Sequence, residues 1–353
     1  MDIAIILAAG EGTRMKSQLP KVLHKVSGKP ILEYVVKASV DANVEKNIVI
    51  IGHGGQKVKE YFKDSPLIFR EQPIGPDAPY GTGYAVMQGI DSIDDDSNVL
   101  ILCGDTPLIT SQTVGRFLAY HKDNEFDGTV LTALLDDSSG YGRIKRDRDG
   151  KILEIIEDKD ASEEERKIKE INSGIFCFRG GLLKSALKKL DSNNSQGELY
   201  ITDIIGILKK EGYRVGGYKI EDPVEIHGIN SRIQLAFSED IMRNRINEYH
   251  MSMGVTIVNP GSTYIEEGVS IGQDTIIYPG VTIEGNTEIG KDCIIRSNTR
   301  ISNSRIGDKI EIESSLIESS IVEEGANIGP NAHLRPGSHI GKNVRIGNFV
   351  EVK

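Results

Sequence analysis

From Ile265 onward the chain carries an aliphatic residue every six positions: Ile265, Ile271, Ile277, Ile283, Ile289, Ile295 and Ile301. After an irregular stretch the period resumes at Val322, Ile328, Leu334, Ile340, Ile346 and Val352. Glycine often follows the aliphatic residue, as at Gly272, Gly290, Gly307, Gly329, Gly341 and Gly347. A period of six suits neither a helix nor a hairpin, but it is the hexapeptide signature of a parallel β-helix. Each aliphatic side chain then points into a prism and stacks on its counterpart one coil away, while small residues turn the corners. Ile306, Ile312 and Ile317 are spaced by six and then five, which predicts a coil shortened on one face. Roughly five coils are expected.

The opposite end is of another kind. Ile3–Leu7 is a short β-branched run bounded by glycine and predicts a buried strand. It breaks into a loop holding Gly10, Gly12, Thr13, Arg14, Lys16 and Lys21. Glycines let backbone N–H groups approach an anion, and Arg14 and Lys21 bring positive charge to the same place. That combination suits a polyphosphate. A Walker A loop, G-x-x-x-x-G-K-[ST], is absent. A dinucleotide fingerprint needs a third glycine where Met15 stands. The bland alternative is a plain strand-to-helix turn, which would need neither Arg14 nor Lys21.

Further strands are predicted at Ile48–Ile51, Leu67–Arg70, Val99–Leu102, Gly128–Leu134 and Ser173–Phe178, with helical stretches between them. One such helix starts near Gly28–Pro30, with proline in its first turn. The alternation predicts an α/β domain with a mostly parallel sheet, Rossmann-like in its layering, and ligands at the carboxyl ends of the strands. The run Val99–Cys103 ends on Gly104-Asp105, which puts a carboxylate at that edge. A hard oxygen there suits Mg²⁺ bridging phosphates, although Asp105 could instead cap a turn. Gln72 opens a proline-rich loop and offers an amide donor and acceptor, matching the face of a pyrimidine. Gly81–Gly83 would allow close backbone approach to a base or sugar. Gly140–Arg143, Glu157–Asp160 and Ile171–Gly174 set polar groups beside strands, as a sugar pocket requires, whereas Asp158–Arg166 reads as a solvated helix start. His24, His53 and His227 have no nucleophile or metal spacing and read as structural.

Between the two regions, Asn230–Tyr249 predicts one linking helix capped by Ser231, with an apolar stripe of Ile233, Phe237, Ile241, Met242 and Ile246. The 353 residues suggest two domains or slightly more. The net charge of −10 argues against a nucleic-acid partner. Cys103, Cys177 and Cys293 lie far apart, without metal-ligand spacing. No apolar run approaches the roughly 20 residues that span a bilayer, so a soluble, cytoplasmic protein is expected.

The pattern L-x-x-G-x-G-T-x-M followed by Pro20-Lys21 resembles the signature of sugar-1-phosphate nucleotidylyltransferases. Taken with Gly104–Leu108, Gly140–Arg143, Tyr200–Ile205 and Gly347–Glu351, the whole chain resembles the bacterial bifunctional N-acetylglucosamine-1-phosphate uridylyltransferase/glucosamine-1-phosphate N-acetyltransferases. The resemblance implies a uridylyltransferase domain over 1–228, a linker helix over 229–252 and a left-handed β-helix of hexapeptide repeats over 253–353. It places Leu7, Ala8, Ala9, Gly10 and Gly12 under the nucleotide and gives Lys21 the phosphate. Arg14, Lys21 and Asp105 form the catalytic set. Gln72, Gly81 and Thr82 hold the uracil and ribose, and Gly104 belongs to the same substrate edge. Asp105 and Asn230 become the Mg²⁺ ligands, while Gly142, Glu157 and Asn172 line the sugar. Arg335 and Lys353 match sugar-phosphate contacts of the second, acetyl-transferring site.

The implied reaction joins UTP and N-acetylglucosamine-1-phosphate into UDP-N-acetylglucosamine, a cell-envelope precursor, and pyrophosphate. Family members pack three β-helices in parallel, which implies a homotrimer. Two departures stand out. Pro73–Tyr80 lengthens the loop between Gln72 and Gly81. The chain also stops at Lys353, before the family's catalytic histidine and acetyl-CoA contacts, and His333 and His339 precede that position. Acetyl transfer is therefore expected to be absent. Other readings are a pyrophosphorylase of different sugar or nucleotide, or a non-catalytic regulatory subunit of the same architecture.

Overall fold

The computed structural model describes residues 1–75 and 78–353, so Pro76 and Asp77 of the lengthened loop lie outside the described residues. The chain forms two compact units, one of residues 1–24 and 30–234, the other of residues 25–29 and 235–353.

The first unit is built on a nine-stranded sheet. Its elements are β1 (Asp2–Ala8), α1 (Ile31–Asp41), β2 (Lys46–Ile51), α2 (Gly55–Tyr61), β3 (Ile68–Glu71), α3 (Thr82–Met87) and β4 (Asn98–Cys103). There follow α4 (Ser111–Asp123), β5 (Gly128–Leu134), β6 (Arg143–Arg146), β7 (Ile152–Ile156), β8 (Glu170–Arg179), α5 (Gly180–Leu187), α6 (Asp203–Lys210) and β9 (Val215–Lys219). The strand order is β9-β5-β8-β4-β1-β2-β3, with β6 and β7 forming a side hairpin off β8. Strands β1, β2, β3 and β4 are mutually parallel, and β8 alone runs antiparallel between β4 and β5. The mostly parallel sheet is thus as the alternation requires. Helices cover both faces, which is why β1 reads as a continuous apolar run: Ile3 and Ile5 enter one core, Ala4 and Ile6 the other.

All six predicted strands form. Those not anticipated in this sheet, β6, β7 and β9, are short; β6 carries charged residues and β9 glycines in place of an apolar run, whereas β7 is apolar apart from Glu154. Helix α1 begins at Ile31 with Pro30 as its N-cap, slightly later than the sequence suggested.

In the second unit three parallel sheets, of six, six and five strands, run along a β-helix of the left-handed hexapeptide type. Ile265 pairs with Ile283, Ile283 with Ile301, Ile301 with Ile317 and Ile317 with Leu334. The aliphatic ladder is almost wholly buried from Ile277 to Ile340. The step from Ile301 to Ile317 is shorter than that from Ile265 to Ile283, as the broken period foretold. Asn298, Asn303, Asn331 and Asn343 turn corners in the left-handed region, where asparagine is tolerated.

Helix α7 (Arg232–Ser252) forms over the predicted span, and Gln234 N donates to Ser231 Oγ at 3.3 Å. Its expected stripe is corrected. Ile233 is 83% exposed and Phe237 45%, while the buried face is Ser238, Met242, Ile246, Asn247 and His250. Of the polar members, Asn247 is tied in through Nδ2, which donates to the Pro260 and Thr263 carbonyls, while Ser238 Oγ and Asn247 Oδ1 are buried without a hydrogen-bond partner among the described residues. A helix that ties in a buried amide in this way need not show an apolar stripe. No helix among the described residues is long and apolar enough to cross a membrane.

Candidate functional site

At the carboxyl ends of β1 and β4 lies a cavity of about 240 Å³. Of the residues singled out in the sequence, Leu7, Ala8, Ala9, Gly10, Lys21, Gln72, Gly81, Thr82 and Asp105 line it. They arrive from three separate stretches, and the sheet brings them together. Gly104 N donates to Leu7 O at 2.9 Å, so the ends of β4 and β1 are tied directly. A Cβ on Gly104 would lie 2.7 Å from that same carbonyl, which is why glycine precedes Asp105.

The two loop glycines differ in kind. A Cβ at Gly10 would meet nothing within 4 Å, leaving open space where a ligand can approach the backbone. Gly12 has φ +63°, and a Cβ there would lie 2.7 Å from Lys21 Cβ. Gly12 is therefore a packing glycine that lets Lys21 lie against the loop. Met15, where a dinucleotide fingerprint would need glycine, is buried in the core.

Lys21 is the centre of the polar geometry. Its Nζ donates to Asp105 Oδ2 at 2.6 Å and to Asn230 Oδ1 at 3.0 Å. Asn230 is held beside Asp105 because Ile229 N donates to the Asp105 carbonyl at 2.9 Å and Asn230 N to Gln234 Oε1 at 2.8 Å. Two oxygen donors thus converge on one cation, here an ammonium. No group of three or more His, Cys, Asp or Glu side chains suits a metal among the described residues. A carboxylate and an amide oxygen nevertheless match a hard divalent cation that keeps most of its shell for water and phosphate.

Gly81 and Gly83 have a role the sequence did not suggest. A Cβ on Gly81 would lie 2.5 Å from the Leu199 carbonyl oxygen, and one on Gly83 would lie 2.9 Å from it. The glycines admit the chain's own backbone: Gly83 N donates to Leu199 O, and Leu199 N donates to Tyr80 O, both at 2.8 Å. Thr82 Oγ1 accepts from Ile201 N at 3.1 Å. This pairing carries Glu198 to the cavity wall, close enough to Tyr80 for the two to interact electrostatically. Burial raises the pKa of both Tyr80 and Glu198. Val22, Ala85 and Cys103 complete the lining, and burial pushes the Cys103 thiol up to about 12. None of these five residues was singled out as a site residue in the sequence. Glu198 and Tyr80 meet only through the Leu199 pairing, which leaves no local signal.

Other predicted residues stand off the cavity wall. Arg14 is exposed on a short 3₁₀ turn and does not line the cavity. Gly142, Glu157 and Asn172 form a second group: Asn172 N donates to the Gly142 carbonyl at 2.8 Å. Asn172 Oδ1 accepts from Gly174 N at 2.9 Å, which turns its amide N–H₂ outward from that turn. Glu157 accepts from Thr202 Oγ1 at 2.9 Å, and burial raises its carboxyl pKa. Arg143 pairs with Asp158 at 3.0 Å behind them. His24 is a structural residue, its ring 3.2 Å from the Arg232 guanidinium. In the second unit, Arg335 pairs with Glu351 and Lys353 lies 4.0 Å from the same carboxylate.

The nucleotidyl transferase family profile matches residues 3–222, and a GMPPB C-terminal domain profile matches residues 259–353. Bifunctional protein GlmU of Clostridioides difficile (strain 630) is 49% identical over 350 residues, covering 99% of this chain and 75% of the relative. The protein of the same name from Alkaliphilus oremlandii (strain OhILAs) is 51% identical, covering 99% and 76%. That from Enterococcus faecalis (strain ATCC 700802 / V583) is 48% identical, with the same coverage. The first unit is therefore a nucleotidyltransferase, and the chain belongs to the bifunctional GlmU family, the uridylyltransferase/N-acetyltransferase family that its motifs resemble.

Proposed function

We propose that the first unit transfers UMP from UTP to N-acetylglucosamine-1-phosphate, releasing pyrophosphate and UDP-N-acetylglucosamine. The observation that carries this reading is the convergence of Lys21 on Asp105 and Asn230 beneath the cavity lined by Ala8–Gly10, Gln72 and Thr82. The open face of Gly10 receives the phosphates through backbone N–H groups. The amide of Gln72 reads the uracil edge, and Gly81 and Thr82 flank the ribose. Glu157, Asn172 and Gly142 take the sugar hydroxyls and N-acetyl group.

The attacking group is a phosphate oxygen, already anionic at neutral pH, so no general base is required. Catalysis reduces to in-line positioning and neutralisation of charge at the α-phosphorus. Lys21 stabilises negative charge developing on the phosphates, and Arg14 meets the pyrophosphate from the loop. Asp105 and Asn230 would hold Mg²⁺, which when bound supplies charge neutralisation to the phosphate oxygens. In the free enzyme the Lys21 ammonium lies between those two oxygens, which supports a cation position there.

The division into a uridylyltransferase domain over 1–228, a linker over 229–252 and a β-helix over 253–353 is part of this reading. So is assembly through the β-helix into a homotrimer, with cation-dependent transfer residing in each first unit and Arg335 and Lys353 serving a sugar phosphate on the second. The direct test is pyrophosphate release from a panel of nucleoside triphosphates and sugar-1-phosphates. Turnover greatest with UTP and N-acetylglucosamine-1-phosphate supports the assignment, and a clear preference for another pair overturns it.

A further inference from the structure

The first unit holds a second cavity, of about 480 Å³, that shares no lining residue with the one under Lys21. It opens against β9, the outermost strand of the sheet, at Val215–Gly217. Four cations reach it: Arg146, Lys151, Lys209 and Arg214. Among the described residues no carboxylate lines it, in a chain whose net charge is −10. Three rings, Tyr120, Phe126 and Tyr213, share the wall.

The floor is built for this purpose by glycine. A Cβ on Gly216 would lie 2.6 Å from the Phe126 ring, and one on Gly217 would lie 3.0 Å from Arg146 Nη2. The glycine pair therefore lets one ring and one guanidinium approach the sheet edge together. Arg146 is fixed there by two hydrogen bonds to Glu170, at 2.7 and 2.6 Å, and a third to the Gly150 carbonyl at 2.8 Å. Arg214 lies 5.9 Å from the Phe126 centroid and pairs with Glu125 at 3.5 Å, both side chains well exposed. Exposed pairs of that length hold little, so Arg214 is available to a ligand. The ammonium groups of Lys151 and Lys209 have no ion pair among the described residues. One cation rigidly placed, three mobile ones and a set of rings suit a ligand with both phosphates and a flat ring.

We propose that this cavity is a second ligand site that takes a nucleotide, by its phosphates on Lys151, Lys209 and Arg214 and by its base against Phe126 and the neighbouring tyrosines. The reading goes beyond the transfer reaction and does not depend on which sugar phosphate the first cavity uses.

Calorimetric titration of the full chain with ADP tests it, using inorganic triphosphate as the ring-free probe. The variant Lys151→Gln/Arg214→Gln changes two exposed side chains and should leave the fold intact, as its thermal melt will show. Binding of ADP should weaken on the order of tenfold or more in that variant. It should change less than about twofold in Lys21→Ala, which alters only the other cavity. Inorganic triphosphate should bind more weakly than ADP. Loss of ADP binding in Lys21→Ala with none in the double variant overturns the proposal, as does absence of ADP binding in the native chain. Equal affinity for ADP and inorganic triphosphate overturns the part assigned to the rings.

Discussion

The Lys21 ammonium lies 2.6 Å from the Asp105 carboxylate, with the two side chains only 11% and 18% exposed. Residues separated by most of a sheet's worth of chain thus share one charge balance. Each alone would be a largely buried charge, and each is tolerable because the other is there.

Lys21→Ala should lower kcat by roughly 10²–10³, the scale of losing one preorganised contact to developing charge. Steady-state kinetics decides the point. A rise in KM for the nucleotide at unchanged kcat would assign Lys21 to uniform binding instead.

Asp105→Asn should abolish turnover while the chain still melts cooperatively, at a temperature lowered by loss of the charge opposite Lys21. Chelation by EDTA should likewise stop pyrophosphate release, and added Mg²⁺ should restore it. Activity that persists after chelation would remove the cation from the reading.

The loop glycines allow a sharper comparison. Gly10→Ala meets no atom within 4 Å and should fold normally, with a raised KM for the nucleotide. Gly12→Ala must adopt φ +63° and push against Lys21 Cβ, and should lose about 1 kcal/mol or more of stability together with kcat. Identical behaviour of the two variants would contradict the distinction drawn between them.

Glu157 carries a pH prediction. Burial raises its carboxyl above the ordinary 4.5, aided by Asp203, Asp160 and Glu198 and opposed by the Thr202 hydroxyl. Ionising it therefore costs the folded state stability at any pH above that raised value. Glu157→Gln should melt higher than the native chain at neutral pH, and the gap should shrink as pH falls through the raised folded value and close below 4.5, where Glu157 is protonated in both folded and unfolded states. Its KM for the sugar phosphate should rise. A melting difference independent of pH would place the effect elsewhere.

Assembly is testable on the second unit. Sedimentation across a range of concentrations should reveal a trimer, and a monomer throughout would refute it. Since the cavity draws its lining from one first unit, specific activity should not fall on dilution.

Periodicity made the β-helix readable, down to the shortened step at Ile317, because each aliphatic residue answers to a fixed neighbour one coil away. The buried strands β1, β2 and β4 were equally plain, since two covered faces demand continuous apolar runs. Strands β6 and β9 escaped notice because one bears Arg143, Lys145 and Arg146 and the other Gly216 and Gly217. That Gly10, Lys21 and Asp105 share one cavity edge could be read because strand, glycine and charge lie close in sequence at each of the two strand ends. Glu198 and Tyr80 could not, since their meeting depends on the Leu199 backbone pairing. For the same reason the sequence did not suggest that the missing Cβ atoms of Gly81 and Gly83 also make room for the Leu199 backbone. Helix α7 misled because Asn247 and His250, and not Ile233 or Phe237, occupy its buried face.

The same Leu199 pairing has a bearing on how far this chain can change. The lengthened segment between Gln72 and Gly81 leaves the sheet at a fixed point, where Gln72 N donates to Ile51 O at 2.8 Å. It returns at another, where Tyr80 O accepts from Leu199 N at 2.8 Å. Both anchors are themselves cavity residues, so the two ends of the segment are held at the wall by backbone hydrogen bonds. Closing a longer loop between fixed ends costs only a logarithmic amount of entropy, about 0.6 kcal/mol per doubling. Length can therefore vary between those anchors at small cost in stability while Gln72 and Tyr80 stay tied to the cavity wall.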